Sequence, residues 1–300
     1  MGTAVVRKNI SVAKGAFAGA LLGMLLASSS ALAIPTFTFG GIQVPANLGP
    51  NGNYISGQLD REQLVQKPGD RFFGVGQVTD IADAGGHQTY ISRFNIDQGT
   101  GDTLNAPGLW AAFDNFTVDT ILAPTPVTPG KITFFGGFLN YYTFPHALAS
   151  QPNIDTGNRL TDLANVEAGT LWASLVPDPV DVLGHTLVIT IPANNSLTVF
   201  QGASAEAFLS ATGGPAFPYF HTCPAGGFFN PTNPPSDCSD ARFIGGANSG
   251  AAGDFDVSGH DTLKARANVT VPEPGSLLLL GTGLLSLVGA GFGRRRRSRA

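Results

Sequence analysis

The run LKARANVTV at residues 263–271 alternates apolar and polar residues over its whole length. Its odd-numbered positions hold leucine, alanine or valine, whereas its even-numbered positions are Lys264, Arg266, Asn268 and Thr270. Successive side chains of a strand point to opposite faces, so this period of two predicts a strand with one buried face and one solvated face. We therefore expect it to belong to an antiparallel sheet that packs on a core.

Further strand patterns precede this run at residues 36–39, 72–79, 88–94, 109–118, 131–142, 171–176, 185–191, 197–200 and 206–211. Gly136 and Gly137 interrupt one of them and predict a bulge or a bend. Helical patterns are confined to residues 59–66 and 158–167, and residues 213–253 are predicted to be a surface excursion. Many short strands without long helices predict an all-β fold, a single antiparallel β-sandwich or jelly-roll-like domain.

The N-terminal end, residues 1–33, has the features of a signal peptide. Arg7, Lys8 and Lys14 precede an uncharged apolar run at residues 16–26, and Ala31 and Ala33 form an Ala-x-Ala pattern. An apolar helix of about 11 residues rises about 16 Å, which is too short for a hydrocarbon core of roughly 30 Å. We therefore predict that a signal peptidase cleaves after Ala33.

The C-terminal end has three consecutive features. Val271, Pro272, Glu273 and Pro274 form a short motif, and an uncharged stretch follows at residues 276–292. A basic tail at residues 294–299 contains Arg294, Arg295, Arg296, Arg297 and Arg299. The stretch is at the lower length limit for a transmembrane helix, and basic flanks stay in the cytoplasm. We predict a transmembrane helix over residues 276–292, with the preceding chain outside.

This order of motif, apolar segment and basic tail resembles the PEP-CTERM sorting signal of Gram-negative bacteria over residues 272–299. The resemblance implies that a membrane-bound exosortase-type enzyme recognises the signal and cuts the chain near the motif. It also implies transient membrane anchoring, followed by a location at the cell surface or in the extracellular matrix, among exopolysaccharide and biofilm material. The resemblance does not extend to residues 34–271, so the activity of that domain stays open.

The charge of residues 34–271 differs strongly from that of the whole chain, which is −4. The two ends hold eight of the 17 basic residues but only one of the 21 acidic residues, which leaves nine against 20 and a formal charge of −11. Phosphate binding needs clustered lysine and arginine side chains. We therefore expect no nucleic-acid partner.

Cys223 and Cys238 are the two cysteines of the chain and lie in a segment rich in proline and glycine. Exported proteins fold in an oxidising compartment, so we predict a disulfide between them. Closing a loop of about 15 residues stabilises a fold by about 3 kcal/mol in the chain-entropy model.

A search for catalytic motifs finds no Gly-x-Ser-x-Gly elbow, phosphate loop, His-Glu-x-x-His pair or dinucleotide fingerprint in the sequence. Asp254, Asp256 and Ser258 have the spacing of the first ligands of a calcium-binding loop, and Asp261 follows them. Ala265, however, stands where such a loop needs a bidentate glutamate. We therefore predict a solvated turn here and no cofactor, with calcium as the alternative.

A sorting signal joined to a domain without a catalytic motif predicts a non-enzymatic protein of the cell surface or matrix. One alternative is a carbohydrate-binding module or a secreted glycoside hydrolase, which needs two carboxyl groups about 5 Å or about 6.5–9.5 Å apart. Aromatic residues such as Phe228 and Phe229 are candidates for stacking on sugars. The other alternative is a calcium-dependent adhesin.

Overall fold

The computed structural model describes residues 36–45, 53–82, 88–92, 107–220, 228–229, 238–252 and 255–265. Within these residues the strands are β1 (Thr36–Phe39), β2 (Ile42–Pro45), β3 (Asn53–Glu62), β4 (Arg71–Ala82), β5 (Gln88–Ile91), β6 (Gly108–Leu122), β7 (Gly130–Phe144), β8 (Thr170–Asp178), β9 (Leu187–Ile191), β10 (Ala203–Gly213), β11 (Phe228–Phe229), β12 (Cys238–Ser239), β13 (Ala241–Ala252) and β14 (Phe255–Ala265). The helices are α1 (Arg159–Glu167), α2 (Phe217–Phe220) and a 3-10 turn (Leu148–Ser150).

Eight of these strands close into one antiparallel barrel. Their order is β13-β14-β3-β4-β6-β7-β8-β10, and β10 pairs with β13 to complete the ring. The closing ladder has seven residue pairs, from Ala203 opposite Ala247 to Leu209 opposite Ala241. The predicted all-β character is thus present, but the predicted β-sandwich or jelly roll is wrong, because a single sheet closes on itself and two sheets do not stack.

One position in the barrel is shared by two short strands. β8 pairs with residues 139–143 of β7 and with residues 208–213 of β10. β9 pairs with residues 130–134 of β7 and with residues 204–206 of β10. Both strands are antiparallel to the same two neighbours, so they are two parts of one interrupted strand. We call the interruption, residues 179–186, the β8–β9 excursion.

The interior of the barrel is filled by side chains. Seven strands contribute residues around its middle, among them Phe72, Phe113, Phe116 and Phe243. The cavity that they leave measures about 20 Å³, which is enough for about one water molecule. The described part of the interior is therefore a packed hydrophobic core.

Helix α1 covers the outer face of β4, β6 and β7. It begins after Asn158, whose side chain accepts hydrogen bonds from the backbone N–H groups of Leu160 and Thr161 at 3.0 and 3.2 Å. Leu163 and Val166 lie one turn apart and are buried. They belong to a cluster on the outside of the barrel with Phe73, Val75, Trp110, Ala112, Tyr142, Phe144, Ile154 and Phe255. The helix predicted at residues 158–167 is confirmed.

Two barrel strands were not predicted. The helix expected at residues 59–66 is wrong, because β3 continues to Glu62, and the excursion expected at 213–253 contains β13. β13 reads ARFIGGANSGAA, and its glycine and alanine residues hide the alternation that identifies a strand. At Gly245 a side chain is excluded, because a Cβ atom there would lie 2.2 Å from Asp261 Oδ1.

Other differences are local. Residues 197–200 lie in turns, and the turn expected before the last strand is part of β14. Within β14, Leu263 and Ala265 are buried and Lys264 is half-buried, in agreement with the predicted alternation. At the bulge or bend predicted in β7, φ is 69° at Gly136 and 94° at Gly137. The pairing with β6 keeps its register there, with Asp114 opposite Phe138 and Phe116 opposite Gly136, so the irregularity is not a register-shifting bulge.

No helix among the described residues is long and apolar enough to cross a membrane. The segment 276–292, for which we predicted a transmembrane helix, lies outside those residues. The same holds for the signal peptide with Ala31 and Ala33 and for the sorting motif at Val271, Pro272, Glu273 and Pro274. The prediction of a C-terminal helix therefore finds no support in the described structure.

The glycine pair in β7, Gly136 and Gly137, yields a stability prediction. A Cβ atom at Gly137 would meet the Phe116 ring at 2.4 Å, whereas a Cβ atom at Gly202, which also has a positive φ of 69°, meets nothing within 4 Å. Backbone strain costs about 1 kcal/mol at both positions, and the clash adds about 2 kcal/mol at Gly137. Urea unfolding should show Gly137→Ala to be clearly less stable than the control Gly202→Ala. Equal losses would contradict the tight packing of Gly137 against Phe116.

Candidate functional site

Charged side chains gather at two places on the outer face of β6. The first group, the arginine cluster, contains Arg71, Asp114, Tyr142 and Glu167. Arg71 donates from Nε to Asp114 Oδ1 at 2.6 Å and from Nη2 to Asp114 Oδ2. The backbone N–H of Asn115 donates to Asp114 Oδ1 at 2.6 Å. Asp114 is buried, so this bidentate pair joins β4 firmly to β6.

The two carboxyl groups of the arginine cluster have different environments. Burial raises the pKa of Glu167, and repulsion by Asp114 adds to the effect. The hydrogen bond to Asp114 raises the pKa of Arg71, and burial raises that of Tyr142. Carboxyl groups in contrasting environments are typical of acid–base pairs. Here, however, the Asp114 side chain is only 6% exposed, and both its oxygens accept hydrogen bonds. Asp114 is therefore a structural anchor for β4 and β6 rather than a group that contacts substrate.

A groove of about 460 Å³ lies next to the arginine cluster, between the start of β4 and the start of α1. We call it the β4–α1 groove. The Arg71 guanidinium lies over the Phe73 ring, 5.2 Å from its centroid. Arg159 pairs with Asp256 at 2.7 Å. The residues that line the β4–α1 groove are Gln63, Asp70, Arg71, Phe73, Asn158, Arg159 and Leu160.

The second group, the histidine clip, attaches the β8–β9 excursion to β6. His185 Nδ1 lies 2.6 Å from Asp181 Oδ2, and His185 Nε2 lies 3.0 Å from Asp119 Oδ2. The ring stacks on Phe135 with centroids 4.9 Å apart, and Thr186 Oγ1 donates to the carbonyl of Gly136 at 2.7 Å. Only a protonated imidazole donates from both ring nitrogens, so this geometry suits the cation.

In the histidine clip, the imidazolium and the two carboxylates stabilise each other's charged forms. Burial opposes protonation of His185, but its hydrogen bonds to Asp181 and Asp119 outweigh burial and raise its pKa. The hydrogen bond from His185 lowers the pKa of Asp119. Burial alone would raise the pKa of Asp181, but hydrogen bonds from the side chain and the backbone N–H of His185 lower it. The clip is thus a three-charge contact within the protein.

The described residues among the calcium candidates, Asp256, Ser258 and Asp261, are not brought together in a metal site. Asp256 Oδ1 accepts a hydrogen bond from Arg159, and Asp256 Oδ2 accepts one from the backbone N–H of Leu64 at 3.4 Å. Ser258 and Asp261 lie within β14, where Asp261 is buried, and Asp254 lies outside the described residues. The described part of the chain contains no group of three or more His, Cys, Asp or Glu residues that could hold a metal ion.

The remaining predicted sites stay predictions. Cys238 begins β12, and its expected partner Cys223 lies outside the described residues. Phe228 and Phe229, the candidates for stacking on sugars, form β11, which pairs with Ser239 and Cys238 of β12. The basic tail, Arg294–Arg297 and Arg299, also lies outside them.

Comparison with protein-family models, with curated proteins and with solved structures finds no match to this chain.

The histidine clip and the arginine cluster were not predicted from the sequence. The spacing of four between Asp181 and His185 is visible in the sequence, but Asp119 and Arg71 are distant from their partners. Both groups are therefore interpreted from their geometry and chemistry alone.

The histidine clip makes stability depend on pH. The contribution of His185 is fully present below its ordinary pKa of about 6.5 and is lost as the pH rises through its raised value. The contributions of Asp119 and Asp181 are present above the ordinary aspartate pKa of about 3.9 and are lost as the pH falls through their lowered values. At pH values between the lowered pKa values of the two aspartates and the raised pKa of His185, His185→Gln should lower the free energy of unfolding in urea by roughly 2 kcal/mol, because hydrogen bonds between charged groups are lost.

The control for this prediction is His260→Gln, since His260 is exposed on β14. It should leave the free energy of unfolding nearly unchanged at every pH. A constant difference between wild type and His185→Gln from pH 5 to pH 9 would contradict a cationic clip.

Proposed function

We propose that the chain is an exported protein of the cell surface or extracellular matrix of a Gram-negative bacterium, and that the barrel is its structural body. The observation that carries the proposal is the order of the Val271–Pro274 motif, the apolar segment 276–292 and the basic tail. A signal peptidase acting after Ala33 and an exosortase-type enzyme acting near the motif are the processing partners. Extracellular polysaccharide is the material that the released protein meets.

The end of the fold supports this proposal. β14 ends at Ala265, seven residues before Pro272. Seven residues of extended chain reach at most about 25 Å. A chain of this length keeps the motif within about 25 Å of Ala265, so cleavage near the motif by a processing enzyme at the membrane would release the folded domain with a short remnant.

The closed sheet supports it as well. An open sheet exposes unpaired N–H and C=O groups at its edges, which pair with other chains and promote aggregation. The pairing of β10 with β13 satisfies these groups along seven residue pairs. A closed barrel with a formal charge of −11 suits a protein that must stay soluble among other surface molecules.

Cell fractionation tests the proposal. Replacing Pro272 and Glu273 together by Ala should cause an uncut form to accumulate in the membrane fraction, whereas the wild type yields a shorter released form. Thr270→Ala, which changes a residue beside the motif, is the matched control and should be released normally. Identical fractionation of the motif variant and the wild type would overturn the sorting role of the motif.

A further inference from the structure

We propose that the β8–β9 excursion is a pH-operated strap, which is closed over the outer face of β6 and β7 while both ring nitrogens of His185 are protonated and opens when one proton is lost to solvent. The proposal goes beyond the proposed function and does not depend on it, because it concerns contacts within the described fold. The excursion combines three features that such a strap needs: internal hydrogen bonds, two anchored ends and a side-chain contact with β6 that one proton controls.

The excursion is a loop that is bonded to itself. The backbone N–H of Val180 donates to the carbonyl of His185 at 2.6 Å, and the N–H of Gly184 donates to the carbonyl of Asp181 at 3.1 Å. Asp181 Oδ1 also accepts hydrogen bonds from the backbone N–H groups of Leu183 and His185, at 3.0 and 3.2 Å. These bonds lie within the excursion, so they persist when the loop leaves the barrel wall. The loop therefore moves as a unit.

Both ends of the excursion are anchored to the barrel. On the side of β8, Asp178 Oδ2 accepts hydrogen bonds from Ser210 Oγ at 2.7 Å and from Ser239 Oγ at 2.6 Å. On the side of β9, the backbone N–H of Thr186 donates to the carbonyl of Phe134 at 2.8 Å. Between these anchors the histidine clip holds the middle of the excursion against β6. Opening of the clip therefore leaves the barrel ladders in place.

One proton controls the contact between the excursion and β6. His185 Nδ1 faces Asp181 Oδ2 within the excursion, and Nε2 faces Asp119 Oδ2 on β6. Among the described residues, these carboxylates are the charged groups that act on His185, and β7 contributes the uncharged ring of Phe135. A neutral imidazole has one N–H and one lone pair. If the N–H stays at the shorter contact, on Nδ1, the lone pair of Nε2 faces a carboxylate, and the link to β6 becomes repulsive.

Deprotonation acts at a buried base but moves an exposed tip. His185 is only 4% exposed, whereas Val182 and Leu183 are 87% and 71% exposed. The imidazole stacks on Phe135, so opening uncovers the face of this ring that the imidazole now covers. An aromatic face thus becomes available on the outer wall of the barrel at alkaline pH. Strong acid also opens the strap, because Asp119 and Asp181 then lose their charge.

The test is limited digestion of the full chain by chymotrypsin from pH 6 to pH 10, in a mild detergent that keeps the apolar segment 276–292 in solution. Chymotrypsin cuts after leucine, and mass spectrometry identifies the cut after Leu183 at the tip of the excursion. A synthetic peptide of residues 178–187, digested in parallel, corrects for the pH dependence of the protease itself. Near-UV circular dichroism of the undigested samples reports whether the barrel stays folded.

The decisive variant is Asp119→Asn. A side-chain amide both donates and accepts hydrogen bonds. The amide at position 119 can therefore accept from a protonated Nε2 and donate to an unprotonated one, so the strap should stay closed over the whole pH range. The matched control is His260→Gln, because His260 is an exposed histidine on β14. It should titrate like the wild type.

We expect the corrected rate of cutting after Leu183 in the wild type to rise about tenfold as the pH passes the raised pKa of His185, since one charge-assisted hydrogen bond is lost. His260→Gln should show the same rise, and Asp119→Asn should show none. A constant rate in the wild type, the same rise in Asp119→Asn, or a rise that coincides with loss of the near-UV signal would overturn the strap. Each of these outcomes leaves the sorting experiment unaffected, so the two proposals fail separately.

Discussion

The ladder between β10 and β13 is the contact on which the rest of the structure depends. Without its seven residue pairs, the eight strands would form an open sheet with two exposed edges. An eight-stranded barrel has an interior just wide enough for side chains. Phe72 already fills much of it, with ring centroids 5.3 Å from Phe113 and 5.1 Å from Phe134. The closing strands accordingly carry alanine and glycine at many positions, which leaves room for these rings.

The outer face is held by charges, in contrast to the apolar interior. Arg71 and Asp114 join β4 to β6, and Arg61 donates to Asp155 at 2.5 Å from a position that is only 4% exposed. His185 joins the β8–β9 excursion to Asp119 on β6. Of these contacts, the histidine clip depends on protonation, because His185 bridges two carboxylates. Acidity and salt should therefore loosen the β8–β9 excursion before they affect the barrel itself.

The sequence predicts the all-β class and most of the strands, because alternation is local. It does not reveal β13, whose glycine and alanine residues have no apolar period, nor the pairing of β10 with β13, which alone separates a barrel from a sandwich. The candidate site was missed for a related reason. His185 and Asp119 are 66 residues apart, and their contact exists only once β9 joins β7. The proposed sorting signal, in contrast, is a contiguous motif, so its resemblance can be read without the fold.

The β8–β9 excursion has a consequence for engineering. It leaves the barrel wall and returns to the same position, so its length is not tied to the stagger of the neighbouring strands. Its tip, Val182 and Leu183, is 87% and 71% exposed. Foreign peptides inserted between these two residues would project from the barrel without shifting any ladder. The protein thus contains a natural attachment point for epitope display, and the excursion could lengthen during evolution while the barrel stays unchanged.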